Sequence, residues 1–237
     1  MSELFTVIVS STLAGLAMAL GAAVACIENT EEKWHREGLR HGVVAFGGGA
    51  LLSAVALVLV PEGIANLQPL SACIIFILGG LSFMMLDILL KKINTPASQL
   101  AAMLSDFIPE SIALGAAFAT GRHTAFLLAG LIALQNLPEG FSAYRELNAT
   151  STYKPYKVLL LISSMSLLGP IAGVTGYLWM SDYPVIVAAI MLFASGGILY
   201  AIFQDIAPQV QLDKHWAPPL GAVLGFVLGM FGLMITQ

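Results

Sequence analysis

Two stretches of the chain carry acidic and amide side chains inside otherwise apolar segments. Asp106 and Glu110 lie in the first stretch, and Gln135, Asn136 and Glu139 lie in the second. In each stretch a proline directly precedes the glutamate. An ionisable group at bilayer depth costs about 2.5–3.5 kcal/mol on insertion scales, so each acid is a candidate functional residue.

The spacing of these residues suits the binding of a cation. Asp106 and Glu110 are four residues apart and share one helix face, as do Gln135 and Glu139, with Asn136 beside the second face. Facing each other, the two helices would offer three carboxylates and two amide carbonyls, which are the hard oxygen ligands of divalent cations. Such carboxylates need neutralisation by a metal or by protons, so we predict a metal site at which protons compete.

The composition predicts a membrane protein without a soluble domain. The 237 residues are 58% hydrophobic and 10% charged, and the mean hydropathy is +0.87. We predict an all-α integral membrane protein whose single transmembrane domain, residues 1–237, contains eight transmembrane helices. The predicted spans cover about residues 4–27, 42–61, 70–90, 98–120, 123–144, 157–180, 184–207 and 216–236.

The basic residues predict the orientation of these spans. With eight spans, Arg122 falls on one side, and the other Lys and Arg residues fall on the opposite side: Lys33, Arg36, Arg40, Lys91, Lys92, Arg145, Lys154, Lys157 and Lys214. By the positive-inside rule that larger group is cytoplasmic, which leaves both termini outside or periplasmic in the cell (inner) membrane. The start of the chain lacks a basic n-region, so we expect the first helix to be retained. Basic residues are too sparse for a nucleic-acid partner.

Other polar and helix-breaking residues have less specific interpretations. Glu62 ends the second predicted span toward the outside, where it serves either as an interfacial cap or as an entrance residue. Gln204 and Asp205 end the seventh predicted span toward the cytoplasm and are candidate exit residues. Pro109 and Pro138 are expected to loosen their helices and free carbonyl groups. The segment 28–41 is expected to form a solvated or interfacial loop.

At these motifs the chain resembles the ZIP (Zrt/Irt-like) family of divalent metal transporters, prokaryotic type. The segment Asp106-Phe107-Ile108-Pro109-Glu110-Ser111 is similar to the family's fourth-span motif at its Pro and Glu. The segment Gln135-Asn136-Leu137-Pro138-Glu139-Gly140 is similar to the fifth-span motif over more of its length. The resemblance extends along the whole chain, including the Pro-Glu that ends the second predicted span.

The resemblance implies a fold and an activity. The fold is a 3+2+3 arrangement, in which the first and last three helices are related as inverted repeats and the fourth and fifth carry the site. The activity is inward transport of divalent transition-metal ions by alternating access, with Zn²⁺ as the first expectation, Fe²⁺ or Mn²⁺ next, and Cd²⁺ and Co²⁺ as further candidates. The protein would then be a carrier and not an enzyme, with no catalytic cofactor, and a homodimer is plausible by analogy.

The chain departs from the family pattern at three positions. Asp106 stands where relatives have His, and Phe107 stands where they have Asn. Gly169 precedes Pro170 where many relatives have an acid. We therefore expect one principal metal, and its ligands are implied to be Asp106, Glu110, Gln135 and Glu139, with Asn136 nearby. Carboxylate in place of imidazole makes iron or manganese more favourable than is usual in the family.

Two other classes of function are alternatives to transport. A non-transporting metal sensor or scaffold would keep the site but move no ions. An intramembrane hydrolase would use a carboxylate pair, but the sequence contains neither His-Glu-x-x-His nor Gly-x-Ser-x-Gly. Metal uptake into cells or proteoliposomes separates the three.

Overall fold

The computed structural model describes residues 3–27, 33–93, 96–119, 124–180, 182–210 and 216–236. Within these ranges, the side chains of residues 33–40, 96–99, 102, 106, 150, 180 and 209 are not described. The described residues form helices and contain no strand, so the all-helical class predicted from the sequence is confirmed.

Most of the helices are long. The longest are α1 Glu3–Ile27, α2 Lys33–Ala54, α4 Pro69–Ile93, α5 Pro96–Ala119, α6 Ala125–Thr150, α9 Pro184–Ala201 and α11 Ala217–Thr236. The shorter ones are α3 Val60–Ile64, α7 Pro155–Met165, α8 Leu168–Thr175 and α10 Ala207–Gln209. Turns of π-helix cover Val55–Leu59, Gly176–Met180 and Ile202–Ile206, and each continues the helix that precedes it.

Six helical segments of the described chain are long and apolar enough to cross a membrane. They are Glu3–Ile27, His41–Ile64, Pro69–Ile93, Pro155–Trp179, Pro184–Ile206 and Ala217–Thr236. The helices α5 and α6 have 24 and 26 residues but are not among the six. They carry the acids and amides of the candidate site, which lower their mean hydropathy. The structure thus supports a multi-pass membrane protein with at least six spans.

One expectation about local structure was wrong. The expected loop over residues 28–41 is helical from Lys33 onward, so α2 extends beyond its apolar part. The helices α5 and α6 run without interruption through Pro109 and Pro138. The irregular turns are the three π-helical ones instead, and two of these precede Pro61 and Pro208. A π-helical turn shifts the hydrogen-bond register and often marks a functional position.

Glycines set the closest helix contacts in the fold. The most extensive packing joins α1 to α6, α2 to α11, α4 to α9, and α5 to α8 with its π-helical turn. A methyl group on Gly140 of α6 would overlap the Met18 carbonyl of α1, and one on Gly21 of α1 would overlap the Leu137 carbonyl of α6. Small residues allow backbones to approach this closely, which is how helices associate in a bilayer without a hydrophobic driving force.

The α1–α6 contact recurs between α5 and α8. There a methyl group on Gly115 would overlap the Gly173 carbonyl, and one on Gly176 would overlap the Ile112 carbonyl. The residue numbers of Gly173 and Gly176 exceed those of Met18 and Gly21 by the same amount, so the two pairs take equivalent positions. Likewise, a single difference in residue number separates Ile112 and Gly115 from Leu137 and Gly140. The two helix pairs therefore repeat one packing unit.

The α2–α11 contact recurs in the same way between α9 and α4. Gly49 approaches the Ala222 carbonyl and Gly225 approaches the Phe46 carbonyl, just as Gly196 approaches Phe76 and Gly79 approaches Phe193. The difference in residue number between Gly49 and Gly196 also separates the π-helical turn Val55–Leu59 from the turn Ile202–Ile206. It separates Pro61 from Pro208 as well. Contacts and helix irregularities therefore recur together.

The exposure of the helices separates an inner group from an outer one. Only 6% of the most apolar window of α4 and 11% of that of α11 is buried, against 61% for His41–Ile64. The core is built mainly from small and branched apolar side chains and includes Phe107 of α5 and Leu128 of α6. The fold therefore places the helices that carry the candidate site inside the bundle and leaves α4 and α11 facing lipid.

Candidate cation site

The centre of the candidate site is a direct contact between α5 and α6. The Gln135 side-chain amide donates from Nε2 to both carboxylate oxygens of Glu110, at 2.7 and 2.6 Å. Both side chains are 1% exposed. The described residues contain an ion pair between Lys91 and Asp87, and none that involves Glu110. Glu110 is therefore a carboxylate buried at mid-helix with an amide, and not a cation, as its described partner.

Next to this pair lie polar oxygens that lack hydrogen bonds. Asn136 donates from Nδ2 to the carbonyl oxygen of Ala14 on α1, at 2.8 Å. Its Oδ1, the Oε1 of Gln135 and the Oγ of Ser111 have no hydrogen-bond partner among the described residues. A buried polar atom without a partner costs about 1–3 kcal/mol, so three of them on Ser111, Gln135 and Asn136 call for an explanation. Oxygen ligation of a cation is one.

Neighbouring helices hold these two segments in register. The α1 backbone lies against α6 at Gly140, next to Glu139. On α2, Gly47 leaves room for the ring of Pro138, which packs there as part of an unbroken helix. On the other side, α8 lies against α5 at Gly115, one turn after Glu110. The site is thus set by rigid helix packing, which suits a pre-organised binding position.

The structure describes the other predicted ligands, Glu139 and Asp106, to different extents. Glu139 lies one turn after Gln135 on α6, is partly buried, and interacts with its surroundings. Asp106 lies one turn before Glu110 on α5, but its side chain is outside the described part of the structure. Among the described residues, no group of three His, Cys, Asp or Glu side chains is close enough to hold a metal ion. What the structure describes at the centre of the site is one carboxylate that accepts two hydrogen bonds from a neutral amide.

The candidate entrance and exit residues lie on different helical segments from Glu110 and Gln135. Glu62 of α3 accepts a hydrogen bond from the Thr124 hydroxyl at 3.3 Å, which connects it to the start of α6. Gln204 and Asp205 are exposed on the π-helical turn Ile202–Ile206. Their proposed roles as entrance and exit residues stay predictions.

Asp87 of α4 takes part in a contact between helices. Its Oδ2 accepts from Lys91 Nζ at 2.8 Å and from the Tyr200 hydroxyl at 3.1 Å. Because Tyr200 belongs to α9, this pair of hydrogen bonds connects α4 with α9 beside the last turn of α4. The contact is partly exposed, so it orients the helices more than it stabilises them.

A large groove elsewhere in the molecule lacks the chemistry of a cation site. It has a volume of about 1140 Å³ and lies between α2, the turn Ile202–Ile206 and α11. Its lining contains apolar side chains and glycines and no charged residue. Within a membrane such a groove is suited to lipid chains, so we assign the cation chemistry to the α5–α6 contact.

Ser111 is a buried polar residue that was not predicted from the sequence to belong to the site. It directly follows Glu110 and is 1% exposed, and its hydroxyl has no partner among the described residues. Its correspondence with Asn136 follows from the glycine contacts, whereas the two Pro-Glu pairs in the sequence match Ser111 with Gly140. No protein-family model matches the chain, and a search of curated proteins finds no match.

Proposed function

We propose that this protein carries divalent transition-metal ions across the cytoplasmic membrane, in the inward direction, through the α5–α6 contact at Glu110 and Gln135. The observation that carries the proposal is a carboxylate, 1% exposed, between helices of a multi-pass bundle. An ionised carboxylate at this depth costs several kcal/mol unless a cation or a proton compensates it. A transported cation supplies that compensation, and protons compete for the same oxygens.

The ligand chemistry supports a divalent metal as the cargo. Glu110 offers carboxylate oxygens, Gln135 and Asn136 offer buried amide oxygens, and Asp106 and Glu139 flank them at one-turn spacing. The Gln135 amide group donates to Glu110 and lies where a positive charge would be expected to compensate the carboxylate. Rotation of that amide would present its oxygen to an arriving ion. Zinc remains the first expectation from the family resemblance, and the oxygen-rich set favours iron or manganese.

The repeated packing supports eight spans in a 3+2+3 arrangement of inverted repeats. In the repeat, α1 corresponds to α7–α8, α2–α3 to α9, α4 to α11, and α5 to α6. This correspondence accounts for both recurring glycine contacts and for the matched π-helical turns. It also makes α5 and α6 each other's counterparts, so both cross the membrane if either does. Repeats of this kind are typical of alternating-access transporters, whose substrate sites lie at the repeat interface.

Transport assays with purified protein test the proposal. The chain is reconstituted into liposomes, and uptake of Zn²⁺, Fe²⁺ and Mn²⁺ is followed with a metal-sensitive dye trapped inside. Protein-free liposomes and liposomes with the Glu110→Gln variant serve as controls. Wild-type vesicles should take up at least one ion well above both controls, because Glu110→Gln keeps the shape of the side chain but removes its charge.

A metal sensor or scaffold is the main competing function. Such a protein would bind the same ions but would not accelerate their entry into liposomes. Metal binding by the wild type without uptake would therefore replace our proposal with that alternative. If Glu110→Gln transports metal at the wild-type rate, the buried carboxylate is structural and this site is not the transport site.

A further inference from the structure

Half of the buried polar side chains in the described structure lie at the α5–α6 contact, and six of the eight occur in equivalent pairs. The described residues with buried polar side chains are Ser11, Ser53, Glu110, Ser111, Gln135, Asn136, Ser166 and Ser195. The difference in residue number that relates α5 to α6 pairs Glu110 with Gln135 and Ser111 with Asn136. The difference that relates α1 to α7–α8 pairs Ser11 with Ser166. The repeat has therefore kept polar residues at matching buried positions.

Hydrogen bonding distinguishes Ser111 from the other buried serines. The hydroxyl groups of Ser11, Ser53 and Ser195 donate to carbonyl oxygens of their own helices at 2.6 Å. The Ser166 hydroxyl donates to the carbonyl oxygen of Ser163, also at 2.6 Å. Ser111 is helical and buried like them, yet its Oγ has no partner among the described residues. A serine hydroxyl that donates to no carbonyl oxygen of the preceding turn is available to bind a metal ion.

Ser111 and Asn136 lie on the same side of the α5–α6 contact. Asn136 faces α1, because its amide donates to the Ala14 carbonyl. Phe107, one turn before Ser111 on the same face of α5, packs with its ring against Gly15 of α1 and Gly169 of α8. Both side chains thus point toward the region where α1 and α8 pack together.

From these observations we infer that Ser111 Oγ, the counterpart of Asn136 Oδ1, is a further oxygen ligand of the ion held by Glu110, Gln135 and Asn136. The inference rests on the proposed function and extends it by a ligand and by an ion class. Carboxylate, amide and hydroxyl oxygens are hard donors, and they match Mn²⁺ better than Cd²⁺ or Zn²⁺. Ser111 adds an oxygen without adding a charge, so it contributes to ion selectivity without increasing the repulsion among acids.

The experiment measures Mn²⁺ and Cd²⁺ binding to the full-length protein in detergent, by equilibrium dialysis with elemental analysis. Ser111→Ala removes the hydroxyl, and Ser111→Cys replaces it with a softer sulfur donor. Ser195→Ala and Ser195→Cys are matched controls, because Ser195 is fully buried on α9 and donates to Met191. Thermal unfolding of each metal-free variant tests whether the fold is retained.

We expect Ser111→Ala to weaken Mn²⁺ binding at least about tenfold, since even indirect partners of metal ligands contribute that much. Ser111→Cys should shift the preference between Mn²⁺ and Cd²⁺ toward Cd²⁺ by a similar factor, and the Ser195 variants should leave both affinities unchanged. Neither Ser111 variant should lower the metal-free unfolding temperature, because no hydrogen bond is lost.

Two results would overturn the inference. If both Ser111 variants bind Mn²⁺ and Cd²⁺ as the wild type does, Ser111 is not a ligand, and the proposed transport function stands on Glu110 alone. If the wild type and the Ser195 variants bind neither ion nor Zn²⁺ or Fe²⁺, the proposed function fails together with the inference.

Discussion

Gln135 donates from one amide nitrogen to both carboxylate oxygens of Glu110, which joins α5 to α6 at buried positions in each helix. The two residues take equivalent positions in the recurring glycine contacts, because one difference in residue number relates α5 to α6. Glu110 supplies a charge at this contact, and Gln135 supplies a neutral group that is both donor and acceptor. The Glu110–Gln135 pair itself therefore carries one negative charge that a cation can neutralise.

The first prediction concerns the stability of this contact without metal. Gln135→Met is close in volume but leaves the buried Glu110 carboxylate without its donor, so the free energy of unfolding should fall by about 1–3 kcal/mol. Adding Glu110→Met should recover much of that loss, because both polar partners are then gone. Thermal unfolding in detergent with a chelator measures the cycle. Equal stability of Gln135→Met and wild type would mean that the contact is not formed in solution.

The second prediction concerns metal binding and pH. Added Mn²⁺ or Zn²⁺ should raise the unfolding temperature near neutral pH, because the ion binds the folded state. The increase should shrink as the pH falls, since a protonated Glu110 carboxyl can no longer coordinate the ion. Glu110→Gln should show little increase at any pH. A metal-induced increase that is the same in acid and at neutral pH would exclude carboxylate ligation.

The third prediction concerns ion preference at Asp106. Asp106→His should retain metal binding and shift the preference from Mn²⁺ toward Zn²⁺, because imidazole is the softer ligand. Competition between the two ions for the purified variant measures the shift, with the wild type as the reference. An unchanged ratio of the two affinities would show that Asp106 does not touch the metal.

The fourth prediction concerns the glycine contacts that position α6. A methyl group on Gly140 would overlap the Met18 carbonyl of α1, whereas one on Gly130 of the same helix meets nothing within 4 Å. Gly140→Ala should therefore lower the unfolding temperature and reduce metal binding, because α1 must move away. Gly130→Ala should be neutral or stabilising by up to about 1 kcal/mol, as alanine favours helix. Similar behaviour of both variants would contradict the close α1–α6 packing.

The fifth prediction concerns orientation in the membrane. Single cysteines placed at Lys33, Lys91, Lys157 and Lys214 should react with membrane-impermeant reagents only after the cytoplasmic side is opened. A cysteine at Gln237 should react from outside in intact cells. These experiments are done in a background without Cys26 and Cys73, both of which are exposed free thiols. Labelling of position 237 from the cytoplasmic side would rule out eight spans with both ends outside.

The amino-acid sequence by itself determined the helical class and the membrane setting. Both follow from composition and from long apolar segments, which are local properties of the chain. It also marked Glu110 and Gln135, because polar residues are conspicuous within such segments. It did not indicate that α2 begins at Lys33, since packing by neighbouring helices overrides local preference.

Only the tertiary structure decided which side chains meet. The contact of Glu110 with Gln135, the hydrogen bond from Asn136 to Ala14 and the lack of a partner for Ser111 depend on the rotation and depth of separate helices. Those are fixed by glycine contacts between distant segments, such as Gly140 with Met18. Sequence spacing gives the face of one helix, but the face of its partner is set by backbone approach across the bundle, which no local pattern encodes.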